Sequence, residues 1–346
     1  MQRQLLITEQ PIVVRYGEIL KEMIRDVDFS NKQLIVIANQ RYYDRFFEKI
    51  NQTLGTNQTI DWFITTNQTF CNNTDEFEQL LDYLEKLATQ KKFLFLAFGN
   101  EGVMQLVGFL QGVSIFEAEY WCLPISIRSL AKSLLAEQTI VNQQHQVRLK
   151  IKNSPQRILF DQTFYEETSE GRLMDLYVLL RCGLVANRAL LLNVYQTFPN
   201  HQSVLAKSFG ALIESLLQEY QLVGREIDAF GLLFEQAFYQ TTNGHLLSSK
   251  TKRFLGCFFH LYWSLIRKPL KISLPHFLIW LKQLGFDFQW PEQLSFSEYC
   301  QNVLNLTEGQ TLAVVAEIGE LVFEDAPTEK ELLEMMRSYQ QLLTKI

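Results

Sequence analysis

The sequence predicts a chain of two halves, an α/β half followed by a helical half, and two observations carry this prediction. Through the first 150 residues, short apolar runs typical of buried strands alternate with stretches of helical spacing. Beyond about residue 172, nearly every segment repeats its apolar residues with the period of a helix. Because strands buried on both faces belong to parallel sheets, we predict an α/β domain at residues 1–165 and an all-α domain at residues 166–346.

The α/β half is assigned from four apolar runs, which we interpret as strands. They are QPIVV, LIVIA at 34–38, DWFITT, and FLFLAF at 93–98. Helical spacing then predicts helices at 17–25, up to 54, at 74–87 and at about 103–110. Each helix follows a strand, which is the order expected of a doubly wound parallel sheet.

The helical half is assigned from long amphipathic segments. They include LMDLYVLLRCGLV, ALLLNVYQTF, SFGALIESLLQEY and FLGCFFHLYWSLI. Pro269, Pro275 and Pro291 separate the later segments, because proline cannot continue a helix. One late apolar run, TLAVVAEIG at 311–319, predicts a strand, and ELLEMM belongs to a terminal helix that starts near Thr328.

Composition and charge narrow the class of protein. An apolar fraction of 47% over 346 residues supports a sizeable core and excludes a disordered chain. The net charge of -6 does not suggest a general nucleic-acid binder or a polybasic membrane protein. The longest apolar run, residues 254–265, is shorter than the roughly 20 residues of a membrane span. The five scattered cysteines form no CxxC pair. We therefore expect a cytoplasmic protein without disulfides or a structural zinc site.

The end of the FLFLAF strand is the first place to look for a ligand, because parallel sheets bind ligands at the carboxyl ends of their strands. The residues there are Gly99, Asn100, Glu101 and Gly102. A helix that starts after such a turn can hold an anion, but the Glu101 carboxylate stands where a phosphate would sit. A plain tight turn is the alternative interpretation. A second polar segment follows residues 123–126, and we predict a solvated helix start there.

These segments resemble the motifs of the 3-dehydroquinate synthases and, more broadly, of the sugar-phosphate cyclases. Without a gap, residues 99–109 occupy the family's Gly-Gly-Gly-x-x-Gly-Asp-x-x-Gly-Phe, residues 123–126 its Ile-Pro-Thr-Thr, and residues 132–142 its Asp-Ser-Ser-x-Gly-Gly-Lys-Thr-x-Val-Asn. Later motifs fall on residues 178–183, 225–232 and 246–250. The resemblance covers essentially the whole chain and implies a Rossmann-like N-terminal half in a dehydroquinate synthase-like fold.

The resemblance also implies a divalent metal such as zinc, held by one Glu and two His. In the family, bound NAD transiently oxidises the substrate before phosphate elimination, reduction and ring closure. Carried over by position, the metal ligands fall on Val178, Leu232 and Ser248, and a further family His falls on Gln236. Two of the three ligand positions are aliphatic, so we expect no metal site, and we expect these two side chains to fill the volume that a metal would occupy.

The cofactor loop is changed as well, at positions where the family has glycines and an Asp. The loop positions in this chain are Gly99, Asn100, Glu101 and Gln105. A Cβ at the second and third of them obstructs the approach of a pyrophosphate, and the third is anionic. Further along, Gln138 stands where the family has a Lys. We therefore predict that NAD binding is weak or absent, so that neither cofactor is retained.

Cations survive at several positions that the resemblance places in one cleft. They are Arg181, Arg225, Lys132 and Lys207. Arginine favours bidentate contacts with oxyanions, so a small carboxylate or phosphate compound is one counter-ion that we predict. A protein carboxylate is the other, and the candidates are Glu101, Glu137 and Asp228.

We favour a non-catalytic member of this fold that binds a partner protein or a small anion. The partner would be a second copy, giving a homodimer, or an active paralogue, giving a heterodimer. The alternatives are an enzyme of new, metal-free chemistry in the same cleft and a residual 3-dehydroquinate synthase of the shikimate pathway. No histidine has the spacing of a metal motif, and His260 on its apolar helix is predicted to be a satisfied core imidazole.

Overall fold

The structure is a computed structural model that describes residues 1–7, 11–55, 59–87, 92–142, 145–165, 168–270 and 273–343. The chain divides into two compact units, residues 1–167 and 168–346. The sequence predicts this division after residue 165, and residues 166 and 167 lie outside the described part. None of the helices in the described ranges is long and apolar enough to cross a membrane.

The first unit alternates strands and helices. Its strands are β1 (Gln2–Leu6), β2 (Pro11–Tyr16), β3 (Lys32–Asn39), β4 (Ile60–Thr65), β5 (Lys92–Gly99), β6 (Ala118–Pro124), β7 (Glu137–Val141), β8 (Val147–Lys152) and β9 (Arg157–Phe160). Its helices are α1 (Leu20–Met23), α2 (Gln40–Leu54), α3 (Thr74–Glu85), α4 (Glu101–Val113) and α5 (Ile127–Ser133).

Within the described residues, a seven-stranded sheet has the order β1-β2-β9-β6-β5-β3-β4. Neighbouring strands from β2 onward are parallel, whereas β1 pairs antiparallel with β2. β3 and β5 are buried along most of their length, which is why their sequences read as continuous apolar runs. The parallel register brings Asn39, Thr65 and Gly99 to one edge of the sheet, at the ends of β3, β4 and β5.

Two parts of the first unit differ from the sequence prediction. The helix predicted at 17–25 is a single turn, α1, because Gly17 has a φ of +76° and the Asp161 carboxylate accepts the Leu20 backbone N–H at 2.7 Å. The antiparallel hairpin of β7 and β8 was not predicted, although the sequence of β8 alternates aliphatic and cationic residues. Most side chains of β8 are exposed, so the alternation does not separate a buried face from an exposed one.

The second unit is mainly helical. Its helices are α6 (Ser169–Val185), α7 (Arg188–Thr197), α8 (His201–Ala206), α9 (Ile213–Ala229), α10 (Leu232–Gln240), α11 (Ser249–Arg267), α12 (Leu274–Leu284), α13 (Phe296–Thr307) and α14 (Glu329–Leu343). The strand predicted at 311–319 is a hairpin of β10 (Thr311–Glu317) and β11 (Glu320–Asp325), which turns at Gly319 with a φ of +86°. The predicted fold class, a Rossmann-like α/β half followed by a helical half, is confirmed.

Helices α10 and α11 pack closely in the second unit because glycines line their contact. A Cβ on Gly256 of α11 would lie 2.5 Å from the backbone nitrogen of Glu235 on α10. Gly231, just before α10, has a φ of +89° and faces the backbone of Cys257. These close approaches fix the start of α10, where the resemblance places one of the metal ligands.

Candidate functional site

The strand-end edge of the first unit is held by amides. Asn39, at the end of β3, donates its Nδ2 hydrogens to the Thr66 carbonyl at 2.9 Å and accepts the Asn100 backbone N–H at 3.1 Å. A Cβ on Gly99 would lie 2.6 Å from the Asn39 side-chain oxygen, so this position needs glycine. One amide therefore ties the end of β3 to the ends of β4 and β5.

In the first turn of α4, polar groups are already hydrogen-bonded to other groups of the protein. Asn100 caps the helix by accepting the Val103 N–H at 3.2 Å, and its Nδ2 donates to the Gln68 carbonyl at 3.0 Å. A Cβ on Gly102 would lie 2.6 Å from the Thr69 carbonyl oxygen, so the segment after β4 packs directly on this turn. Glu101 is buried in the first turn of α4, where the positive end of the helix dipole stabilises its carboxylate. These residues do not fit a dinucleotide pyrophosphate.

Beside this turn lies an open cavity of about 630 Å³. It is lined by Asn39, Arg41, Tyr42, Asp44, Arg45, Asn67 and Asn100. Asn67 accepts the Arg41 backbone N–H at 2.8 Å, so a second amide is engaged at this edge. This cavity was not predicted from the sequence, although Asn39 ends β3 and Asn67 follows β4, and the ends of parallel strands are where ligands bind.

Two glutamines stand where the resembled family has an Asp and a Lys, and they contact each other. The Gln105 Nε2 donates to the Gln138 Oε1 at 3.1 Å, and both side chains are buried. The Gln105 Oε1 accepts the backbone N–H and the hydroxyl of Thr139, each at 2.9 Å. The Gln138 Nε2 donates to the carbonyls of Leu135 and Asn153 at 2.9 and 3.0 Å. The two side chains thus form a neutral, fully hydrogen-bonded pair.

The segment after residues 123–126 differs from its prediction as a solvated helix start. α5 begins at a capping box of Ser126 and Ser129, and most of the helix is buried. Lys132 is half-buried near its end. The second carboxylate candidate of this region, Glu137, pairs with Lys150 at 2.6 Å.

The three positions that the resemblance assigns to metal ligands all lie in the second unit. Val178 is buried on α6, Leu232 is the first residue of α10, and Ser248 caps α11. The Ser248 hydroxyl accepts the Thr251 backbone N–H at 3.1 Å, so it has a local structural role. Leu232 is 40% exposed and does not fill a closed core, contrary to the expectation that both aliphatic side chains occupy the former metal volume.

These residues do not fit a divalent metal, because an aliphatic pair and one capping hydroxyl supply no set of three ligands. Within the described part of the chain, no group of three or more His, Cys, Asp and Glu side chains is placed to hold a metal ion. All five cysteines are free and buried. Burial raises the pKa of the Cys257 thiol to about 11, so this cysteine is a protonated core residue at neutral pH.

Arg181 is buried on α6 and has a protein counter-ion. Its Nη2 lies 3.1 Å from the Asp228 carboxylate, and its Nη1 donates to the Asp228 backbone carbonyl at 3.3 Å. Among the described residues its Nε has no hydrogen-bond partner. The small cavity that Arg181 borders measures about 30 Å³ and is lined mainly by aromatic and leucine side chains. It has room for about one water molecule, so it does not admit a phosphate or a dicarboxylate.

The other predicted cations do not share this environment. Arg225 is exposed on α9, and Lys207 is exposed at the end of α8, where its Nζ donates to the Thr197 carbonyl at 2.8 Å. Lys132 belongs to the first unit. The structure therefore brings Arg181 together with Asp228, one of the three carboxylates considered above, and buries Arg181 without burying Arg225 or Lys207.

His260 is the core imidazole that the sequence predicts. It lies on α11 between the rings of Phe230 and Phe234, at centroid distances of 4.1 and 5.0 Å. Its Nδ1 accepts the Gly231 backbone N–H at 2.8 Å, which leaves Nε2 to donate to the Ala313 carbonyl at 2.8 Å. Burial lowers its pKa to about 4, so the ring is neutral at pH 7.

The sequence of this chain is distantly similar to that of a known enzyme. No model of a known protein family matches the chain. Over 281 residues the chain is 18% identical to the 3-dehydroquinate synthase of Listeria monocytogenes serotype 4a (strain HCC23), covering 78% of this chain and 77% of that enzyme.

The structural similarity extends over the whole chain. 2-Deoxy-scyllo-inosose synthase, complexed with carbaglucose-6-phosphate, NAD+ and Co2+, aligns with a TM-score of 0.80 and 12% identity over 98% of this chain and 100% of that one. The 2-epi-5-epi-valiolone synthase of Streptomyces hygroscopicus subsp. jinggangensis 5008, with NAD+ and Zn2+ bound, aligns with a TM-score of 0.77 and 14% identity over 98% of each chain.

Proposed function

Because the chain has the fold of the sugar-phosphate cyclases and is distantly similar in sequence to a 3-dehydroquinate synthase, we propose that it is a non-catalytic binding subunit built on that fold. One observation carries the proposal. The residues at the positions where the family binds metal, cofactor and substrate are either apolar or already bonded to other groups of this chain. The engaged groups are the Gln105–Gln138 pair, the Arg181–Asp228 pair and the Ser248 cap.

These internal hydrogen bonds and ion pairs matter because a catalytic group must be free to contact the substrate. A buried donor that already has its acceptor would have to break that bond, and leaving either partner unpaired costs about 1–3 kcal/mol. In the Gln105 network four hydrogen bonds would be lost together. The arrangement therefore favours a stable scaffold over a residual synthase, which needs these positions to bind cofactor and metal.

The proposed partner is a protein, in a homodimer or in a heterodimer with an active paralogue. A small anion is the second candidate, but the cavity of about 30 Å³ beside Arg181 is too small for a phosphate or a dicarboxylate. Asp228 also pairs with Arg181, so we rank protein binding first. Neither NAD nor a metal has a role in this proposal.

The test is elemental analysis of the purified protein, combined with an assay for 3-dehydroquinate formation in the presence of added NAD and zinc. We expect no stoichiometric metal and no turnover, because the ligand positions hold Val178, Leu232 and Ser248. An active 3-dehydroquinate synthase assayed in parallel is the positive control. One tightly held metal per chain, or turnover abolished by Arg181→Ala, would overturn the proposal.

NAD is tested separately by calorimetry. We expect the wild type to show no binding at micromolar concentrations, because Asn100 caps the turn that a pyrophosphate would need. The double variant Asn100→Gly/Glu101→Gly frees the Val103 N–H and removes the anion, so it should bind NAD more tightly than the wild type. Micromolar binding to the wild type contradicts the proposed loss.

A further inference from the structure

The hairpin of β7 and β8 presents an open edge strand. Within the described residues, these two strands form a sheet of their own, in which β8 pairs with β7. The other side of β7 is occupied, because the Val141 N–H donates to the Asn72 carbonyl at 2.9 Å. Every second residue of an edge strand directs its backbone N–H and C=O away from its partner. The outer side of β8 is therefore a row of backbone groups that another strand can pair with.

The edge strand is held rigidly against α4. Asn153, directly after β8, donates its Nδ2 hydrogens to the Gly108 carbonyl and the Gln111 side chain, both at 2.7 Å. A Cβ on Gly112 of α4 would collide with the Ile151 side chain, so the C-terminal end of β8 lies close against the surface of this helix. A fixed strand loses little conformational entropy when a second strand pairs with it.

The side chains of β8 alternate between cations and aliphatics. Val147 and Leu149 are 48% and 47% exposed, unusually open for aliphatic side chains within a strand. The alternate positions are Arg148, Lys150 and Lys152, all exposed. The strand contains three cations and no acid, in a chain of net charge -6. Glu137 offsets part of the charge through Lys150.

The charge pattern disfavours a second copy of this chain as the occupant. Antiparallel pairing of β8 with itself, with Leu149 opposite Leu149, puts Arg148 opposite Lys150 on the other face. Like charges directly opposite each other destabilise a strand pair. A slip of one residue sets aliphatic side chains opposite cations.

We propose that β8 is a docking strand for an extended acidic segment of a partner protein, in which acidic and apolar residues alternate. The backbone edge supplies the hydrogen bonds, Val147 and Leu149 contact the apolar residues, and Arg148 and Lys152 pair with the acidic ones. The inference rests on the proposed function, because it gives the binding subunit its surface and the chemistry of its partner.

The experiment measures binding of a blocked peptide of alternating glutamate and valine by calorimetry. A matched peptide carries lysine in place of glutamate, and a third carries N-methyl groups on alternate amides, which block strand pairing. We expect the glutamate peptide alone to bind, with an affinity that falls as salt rises, and to protect amides of residues 147–152 from hydrogen exchange.

Two double variants with the same change in net charge locate the site. Arg148→Glu/Lys152→Glu should weaken binding of the glutamate peptide about tenfold or more, since two attractive cross-strand pairs become repulsive. The control Lys21→Glu/Lys86→Glu, at exposed positions elsewhere in the first unit, should bind as the wild type does.

Three outcomes overturn the docking strand. The first is that the wild type does not bind the glutamate peptide at about 1 mM, the weak end of peptide recognition. The second is that the charge-reversed variant still binds this peptide. The third is that the wild type is a dimer in sedimentation velocity and that the charge-reversed variant is a monomer. The metal and turnover assays are independent of these measurements, so a failure of the docking strand is distinguishable from a failure of the proposed function.

Discussion

Two regions differ in how their polar groups are bonded: the strand-end edge of the first unit, and the positions of the second unit that the resemblance assigns to metal ligands. At the strand-end edge, amide side chains bond to one another and to the backbone, as Asn39, Gln105 and Gln138 do. In the second unit, Val178 is apolar, Ser248 caps a helix, and Arg181 is neutralised by Asp228. The first region is a network of neutral hydrogen bonds, and the second retains one buried charge pair.

This difference predicts which single substitutions lower the stability of each region most. Removing one partner of a buried ion pair leaves an uncompensated charge, which costs more than leaving an amide unpaired. The second unit should therefore be the more sensitive to a single substitution at these positions.

The largest expected effect is at Asp228. Replacing Asp228 with Ala removes the carboxylate that faces Arg181 and leaves a buried guanidinium without its counter-ion. We expect the free energy of unfolding to fall by roughly 3 to 5 kcal/mol, measured by urea denaturation. Arg225→Ala, an exposed arginine on the same helix, is the control and should change it by less than about 0.5 kcal/mol. Equal effects of the two variants would contradict burial of the charge pair.

The next effect is the pH dependence contributed by His260. Burial lowers the pKa of His260 to about 4, against 6.5 for an imidazole in water, so the unfolded state binds the extra proton between these values. Stability should therefore fall as pH falls from 6.5 to 4, and the His260 share is about 3 kcal/mol. Denaturation at several pH values should show a shallower slope for His260→Gln than for the wild type.

The control for this pH dependence is His276→Gln, which changes an exposed histidine. Its slope should follow that of the wild type. If His260→Gln also keeps the wild-type slope, the buried neutral imidazole is not the source of the acid sensitivity.

The smallest effect is expected in the amide network of the first unit. Gln105→Ala leaves the Thr139 N–H without its acceptor and the Gln138 Oε1 without its donor. We expect a loss of about 2 kcal/mol in the free energy of unfolding. Gln52→Ala, at an exposed position of α2, is the matched control and should be nearly neutral. A Gln105→Ala loss larger than that of Asp228→Ala would reverse the comparison.

Much of the fold could be predicted because burial leaves a direct trace in sequence. β3 and β5 are buried on both faces and read as continuous apolar runs, and the residues after β5 could be placed at the ligand-binding edge. β8 alternates aliphatic and cationic residues as a half-buried strand does, and it was overlooked. The alternation does not mark a buried face, because Val147 and Leu149 are 48% and 47% exposed.

The sequence showed which residues occupy the candidate site, but it did not show which of them contact each other. Sequence position showed that Gln105 and Gln138 stand at changed positions, but not that they bond to each other across 33 residues. Likewise, Asp228 was one of three carboxylates that could face Arg181, and their pairing depends on how α6 and α9 pack.

By itself, the sequence determined the two-part fold class, the core position of His260 and the absence of the usual ligand types at Val178 and Leu232. Each of these depends on local residue type and periodicity, which the chain carries along its length. The tertiary structure decided that Leu232 is exposed, that Asn100 caps the turn where a phosphate would bind, and that Arg181 is paired while Arg225 is in solvent. Those properties depend on which segments meet in space, and side-chain burial and hydrogen-bond partners exist only once those segments have packed.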